Sequence, residues 1–304
     1  MAAKKKKISK PFLQRADLAK KYWRQIAAVA VVLVLLVGVG VWYTKVYASA
    51  TNVFNAMISD NLALSGVSRE LNQPVCLSTT GSAGNIIQLT YSPTLEAHCI
   101  TRITDNSTKP ASTVLAETIG VAGSDYERYA LIQKPGNSQD RYTNVYKMWL
   151  KDGVDTSSQQ LLVKSLFNPV LFGDVAAPKR AAIVAQLKQA YNIDYKRIEK
   201  SHFSGRLTYG YNVNINLEKF SKAWNLYAAY YGLGKNYLIK PGTYTTNNRL
   251  AVNIQVDALS RQVKSVNFQG VSEVYGAYGV SNPAAIPTKT YSPDQLQKAL
   301  NQIK

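Results

Sequence analysis

Imidazole and thiol groups are scarce in this 304-residue chain, which has two His, at positions 98 and 202, and two Cys, at 76 and 99. A Ser-His-Asp hydrolase would need one of these imidazoles beside a serine and an acid, and no Gly-x-Ser-x-Gly elbow flanks any serine. The sequence also lacks His-Glu-x-x-His, a Walker loop and Cys/His zinc spacing, so no metal and no cofactor are expected. Gly232-Leu233-Gly234 lacks the third glycine of a dinucleotide fingerprint and reads as a helix end. Acids are few too, 18 against 36 Lys and Arg. Asp125 and Glu127 would share one strand face about 7 Å apart, but such pairs arise by chance and read as solvated surface. These absences predict a protein that is not an enzyme.

One long hydrophobic run is present. Residues 26–43 form an unbroken apolar stretch, and 18 helical residues span roughly 27 Å, enough for one crossing of a bilayer. Tyr22, Trp23, Trp42 and Tyr43 supply aromatic anchors at its two ends. Nine Lys or Arg and one acid, Asp17, precede it, so +8 of the net +18 sits in the first 25 residues and +10 remains for the rest. The positive-inside rule keeps that basic tail cytoplasmic and puts the following chain outside. Ala48-Ser49-Ala50 fits a signal-peptidase site, but the run is longer than a signal-peptide core and Lys45 intervenes, which favours an uncleaved anchor. No Cys follows closely enough to be lipidated.

On the exported side, Cys76 and Cys99 are expected to pair as a disulfide closing a loop of about 24 residues, which on the chain-entropy model contributes roughly 3 kcal/mol. His98 and Cys99 would point to opposite faces of a strand, which argues against a shared metal. A basic ectodomain suits anionic lipid headgroups or an anionic envelope polymer better than nucleic acid.

Apolar residues at three- and four-residue spacing predict a helix over 46–64, ended by Gly66. Alternating runs at 85–92, 96–104, 113–121, 126–133 and 142–150, separated by Gly, Pro, Asn and Asp, predict an antiparallel meander. Pro178 opens a further helix. Strict alternation through Tyr209, Tyr211, Val213, Ile215 and Leu217 predicts a strand over 205–217. A helix then runs over about 217–231, capped by Asn216 and stopped at Gly232, with Phe220, Trp224, Tyr227 and Tyr231 on one face. A hairpin follows at 249–256 and 262–268, with Leu250, Val252, Ile254 and Val256 inward. After a Gly- and Pro-punctuated stretch, Ser292-Pro293-Asp294-Gln295 is a capping box for a last helix.

The fold class is therefore α+β: a single N-terminal transmembrane helix followed by a curved, half-barrel-like antiparallel β-sheet packed against helices. The expected organisation is a tail at 1–25, a membrane helix at 26–43, an extracytoplasmic domain at 44–275, and a Pro/Gly-rich segment with a C-terminal helix at 276–304. This order of elements, with the phrase Tyr211-Asn212-Val213-Asn214-Ile215-Asn216-Leu217 and its downstream hairpin, resembles the LolA/LppX-type lipoprotein carrier superfamily. The resemblance implies a curved sheet wrapped around helices with acyl chains held between. A helical anchor in place of a lipid implies a fixed lipid-binding module instead of a shuttle. Val213, Ile215, Trp224, Tyr227 and Tyr231 are the residues expected to line the space between helix and sheet, as core first and ligand contacts second. The alternative is a non-enzymatic envelope scaffold or secretion-machine subunit that acts through protein partners. It resembles the single-span nuclear-transport-factor-like components of conjugation systems.

Overall fold

A computed structural model describes residues 10–72, 82–107, 109–151 and 161–303. The chain divides into two compact units, residues 1–52 and 53–304.

The first unit is dominated by helix α1 (Lys10–Trp42), which runs into a π-helical turn at Tyr43–Tyr47. Over Ala27–Lys45 it is long and apolar enough to cross a membrane, as the helix of a signal sequence would also be. Tyr47 stacks on Tyr43 and lies against Trp42, joining the aromatic residues at the end of the apolar run. The helix breaks at Ala48 and Ser49 before α2 (Ala50–Asn61) begins.

In the second unit one antiparallel sheet contains all twelve strands of the described residues. They are β1 (Gly66–Leu71), β2 (Ser82–Thr90), β3 (Glu96–Asp105), β4 (Ser112–Val121), β5 (Ser124–Gln133), β6 (Leu150–Lys151), β7 (Tyr191–Ile193), β8 (Glu199–Phe203), β9 (Arg206–Asn216), β10 (Arg249–Asp257), β11 (Val263–Phe268) and β12 (Val271–Gly276). The order across the sheet is β6-β5-β4-β3-β2-β1-β12-β11-β10-β9-β7, with β8 also paired to β9. Two meanders, β1 to β6 and β9 to β12, thus meet at a seam where β1 pairs β12. The sheet is open, because β6 at one end does not pair with β7 or β8 at the other.

Alternation assigns the faces. Arg69, Ile87, Cys99, Tyr211, Val213, Ile215, Val252, Ile254 and Tyr275 are buried toward the helices α2, α3 (Leu161–Leu166), α4 (Ala177–Ala190) and α5 (Leu217–Tyr230). Phe54 of α2 packs on Tyr211 with ring centroids 4.9 Å apart and meets Tyr191 edge-on. As expected, His98 and Cys99 lie on opposite faces of β3: Cys99 is fully buried, while His98 bonds Glu117 on the other face. Cys76 lies outside the described residues, and the expected disulfide lies there with it.

The seam holds charge in the core. Arg69 of β1 donates through Nη1 to Glu273 Oε1 of β12 at 3.3 Å, and both side chains are 3 % exposed. Glu273 Oε2 accepts from Asn168 Nδ2 at 2.7 Å and from the Tyr275 hydroxyl. Burial, reinforced by the Glu273 charge, pushes the Tyr275 phenol well above its ordinary range, so it remains a neutral donor. A carboxylate with three donors is tolerable in the interior where an unpaired one is not.

The segment after β12 crosses the strand ends and returns to the β6 edge. Gly279 N donates to Gly66 O at 2.8 Å, Gln88 Nε2 to Val280 O at 3.0 Å, and Tyr291 N to Trp149 O at 2.8 Å. A Cβ on Gly66 would lie 2.1 Å from the Val280 carbonyl oxygen, so only glycine permits this crossing. Helix α6 (Pro293–Asn301) then starts at the expected capping box, and Leu296 buries against Ile132, Tyr142, Val145, Met148 and Leu150. The strand expected over 142–150 is a correction. Gln139–Tyr142 and Val145–Lys147 are 3-10 turns, and only Leu150–Lys151 joins the sheet.

Replacing Arg69 with Met should leave the Glu273 carboxylate buried without its counter-charge and lower stability by roughly 3–5 kcal/mol. Combining Arg69→Met with Glu273→Leu should cost less than Arg69→Met alone. Urea unfolding of the two variants and the parent chain checks both statements.

Candidate functional site

Helix α5 begins where β9 ends: the Asn216 side chain accepts the Lys219 amide at 2.9 Å. Its apolar stripe then faces the sheet, with Phe220, Trp224 and Tyr227 buried. The indole Nε1 of Trp224 donates to Tyr237 O at 2.9 Å, and Asn225 bonds both the amide and the carbonyl of Ile239. The segment after α5 is thereby clipped back onto the helix.

The tyrosines of the stripe fasten the irregular segment between α3 and α4. The Tyr227 hydroxyl donates to Phe172 O at 2.6 Å, the Tyr231 hydroxyl accepts the Asp174 amide at 2.8 Å, and Tyr191 donates to Pro169 O at 2.8 Å. The backbone of this buried segment is satisfied partly by these phenols and partly by the chain at the end of α2, where Gly173 N donates to Asn61 O, Val175 N to Leu62 O, and Gly173 O accepts from Leu64 N. Burial raises the Tyr227 and Tyr231 phenols far above their ordinary range, which keeps them protonated. Gly173 sits under this clamp, where a Cβ would lie 2.4 Å from the Tyr231 hydroxyl oxygen.

The space beneath the middle of α5 is therefore packed with the chain's own side chains. Trp224 and Tyr227 are 1 % and 0 % exposed and Val213 is 1 % exposed. The opening lies one turn earlier along the helix, as a cavity of about 300 Å³ bordered by Phe167, Ile215, Phe220, Tyr244, Leu250 and Phe268. Phe167 is 45 % exposed and stands edge-on to Trp224 at 4.9 Å, so its ring forms part of the rim. The polar side chains bordering the cavity are uncharged, the amides of Asn168 and Gln269 and the phenol of Tyr244. Asn168 is already engaged by Glu273 and by the Val170 amide, which ties the cavity wall to the seam. The volume is at the lower end of the range for small-molecule sites, and its lining suits an uncharged apolar group.

Of the five residues expected to line the helix-sheet space, Ile215 borders this cavity. Trp224, Tyr227 and Tyr231 serve as core and fasteners, and Val213 is buried on β9. Phe220, one turn before Trp224, and Leu250, inward on β10, were legible as core positions. Phe167, in a non-periodic segment, gave no signal.

The ionisable clusters lie elsewhere. His98 Nε2 is 2.8 Å from Glu117 Oε1, and Arg128 bonds Glu117 Oε2 through Nε at 2.7 Å and Nη2 at 2.6 Å. Arg128 also stacks over the Trp149 ring at 4.5 Å. Hydrogen bonding from His98 leads the effects that hold the Glu117 carboxyl below its ordinary range. Both carboxylate oxygens of Glu117 are occupied, so this set ties β3, β4 and β5 together. His202 is exposed on β8, opposite Leu207 of β9. Among the described residues, no group of three or more His, Cys, Asp and Glu could hold a metal ion.

Asp125 and Glu127 share one face of β5, and Asp125 Oδ2 accepts the Leu161 amide that opens α3 at 2.8 Å. Burial, aided by the Asp125 charge, raises Glu127 to about 7. Unfolded, it titrates near 4.5. Between these values the folded state holds a proton that the unfolded state has released, so stability should fall as pH rises from about 4.5 to about 7 and stay lower above it. The full difference is about 3 kcal/mol. Glu127→Gln should flatten this part of the stability-pH curve, measured by urea unfolding at a series of pH values.

No family model and no curated protein matches the sequence. Among solved structures, the chain is similar to the crystal structure of LprF from Mycobacterium bovis, with a TM-score of 0.39 and 12 % sequence identity over 78 % of this chain and 94 % of that one.

Proposed function

We propose that this chain is a non-enzymatic binding module, tethered to a membrane through α1 with its sheet domain on the extracytoplasmic side. It holds an uncharged apolar group, such as the end of an acyl chain, between sheet and helices. The observation that carries this reading is the cavity of about 300 Å³ beside Phe220, open at an aromatic rim and bordered by no charged residue. A charged ligand headgroup would have to stay outside, because no group at the cavity repays its desolvation. The long apolar helix and the nine bases before it support the tether and its orientation.

The cavity is small, so burial of a chain end supplies limited affinity, at about 0.8 kcal/mol for each methylene removed from water. That suits reversible capture near a bilayer. Leu250→Trp should fill the space from the sheet side. Native mass spectrometry of the full chain with a long-chain fatty alcohol should show a one-to-one adduct for the parent. The Leu250→Trp protein should lose that adduct while melting at an unchanged or higher temperature. No adduct in the parent, or an equal adduct in a folded Leu250→Trp protein, would contradict the reading.

A further inference from the structure

The sheet face opposite the helices carries an amide surface that strand formation does not account for. Asn is disfavoured in strands, yet Asn212 and Asn214 on β9, Asn253 and Gln255 on β10 and Asn267 on β11 all occupy the outward face, partly or fully exposed. Register places Asn212 opposite Asn253, Asn253 opposite Asn267, and Asn267 opposite Ser272, a row of hydrogen-bonding side chains across β9, β10, β11 and β12. Neighbours in the row are about 4.8 Å apart, the spacing of adjacent strands. In the next row Asn192 of β7 stands opposite Asn214, and Asn214 opposite Ala251.

Ala251, with a methyl side chain, leaves a depression among these amides. The groove there has a volume of about 420 Å³ and is bordered by Asn212, Asn214, Ala251, Asn253, Asn267 and Gly270. Asn253 Nδ2 donates to Asn212 Oδ1 at 3.0 Å, which orients both amides. Each amide has two donor hydrogens and two acceptor lone pairs, so this one bond leaves the pair with capacity of both kinds.

The groove's chemistry selects its occupant. In a chain of net charge +18 it is bordered by no charged residue, and the nearest cation on the same face of β10, Arg249, stands two residues beyond Ala251. A polyanion would find no counter-charge here. A strand from another protein would find no free ladder, because β10 and β11 are paired on both sides. Hydroxyl groups, each a donor and an acceptor at once, match oriented amides in both roles. The geometry points to a second binding groove on this face, which takes a neutral polyhydroxyl ligand, a stretch of uncharged glycan.

The test uses the full chain in a detergent without a sugar headgroup, titrated with chitotetraose and with cellotetraose while the side-chain amide resonances are followed by NMR. Saturable shifts are expected for Asn212, Asn253 and Asn267 with at least one of the two. Asn253→Thr and Asn267→Thr place a good strand former on an exposed face, so folding should be retained while affinity falls about tenfold or more. Two results would overturn the inference: no saturable shift with either sugar at millimolar concentration, or equal affinity in the two folded variants.

Discussion

The buried contact between Arg69 and Glu273 is the constraint on which the rest of the second unit depends. Among the described residues β1 and β12 are its first and last strands, and their pairing joins the two meanders into one sheet. Shifting that pairing by one residue would turn Arg69 or Glu273 to the opposite face and break the ion pair. Two charges withdrawn from water gain little net stability even when well paired. What the pair gives this fold is the choice of face, since a one-residue slip of β1 against β12 would bury one charge without its partner.

The same carboxylate organises the layer above it. Glu273 holds Asn168, Asn168 accepts the Val170 amide, and the chain from there to Asp174 runs beneath the hydroxyls of Tyr227 and Tyr231. Phe172 stacks on Tyr275 at 4.9 Å within this arrangement. The middle of the helix-sheet space is thus filled by a segment that the seam and α5 hold jointly. Packing relaxes at the end of that segment, where Phe167 leaves α3 and stands against the first turns of α5. The cavity lies there, and its position follows from where the filling segment starts.

Local periodicity made α5, its Asn216 cap, the 249–268 hairpin and the α6 capping box legible, because in each of these the buried residues are apolar and the caps are short-range. The two seam strands were not legible, for the reason that makes them important. Their inward positions include Arg69 and Glu273, so the alternation of apolar and polar residues that marks a strand is broken by the ion pair itself. The segment 142–150 misled in the opposite sense. Tyr142, Val145 and Met148 recur at intervals of three, the period of the 3-10 turns found there, and pack against α6 without joining the sheet. At the candidate site, Ile215 could be read from strand alternation. The cavity as a whole could not, because Phe167 and Tyr244 come from irregular segments whose placement depends on tertiary contacts.

The charged seam joins the two meanders into a single cooperative sheet. Native-state hydrogen exchange of the full chain tests it most directly, since it reads the opening free energy strand by strand. Amides of β1 and β12 should exchange only through the global opening, with the same free energy as those of β3 and β10. Separate opening energies for the two meanders, with β1 and β12 exchanging before either, would contradict it.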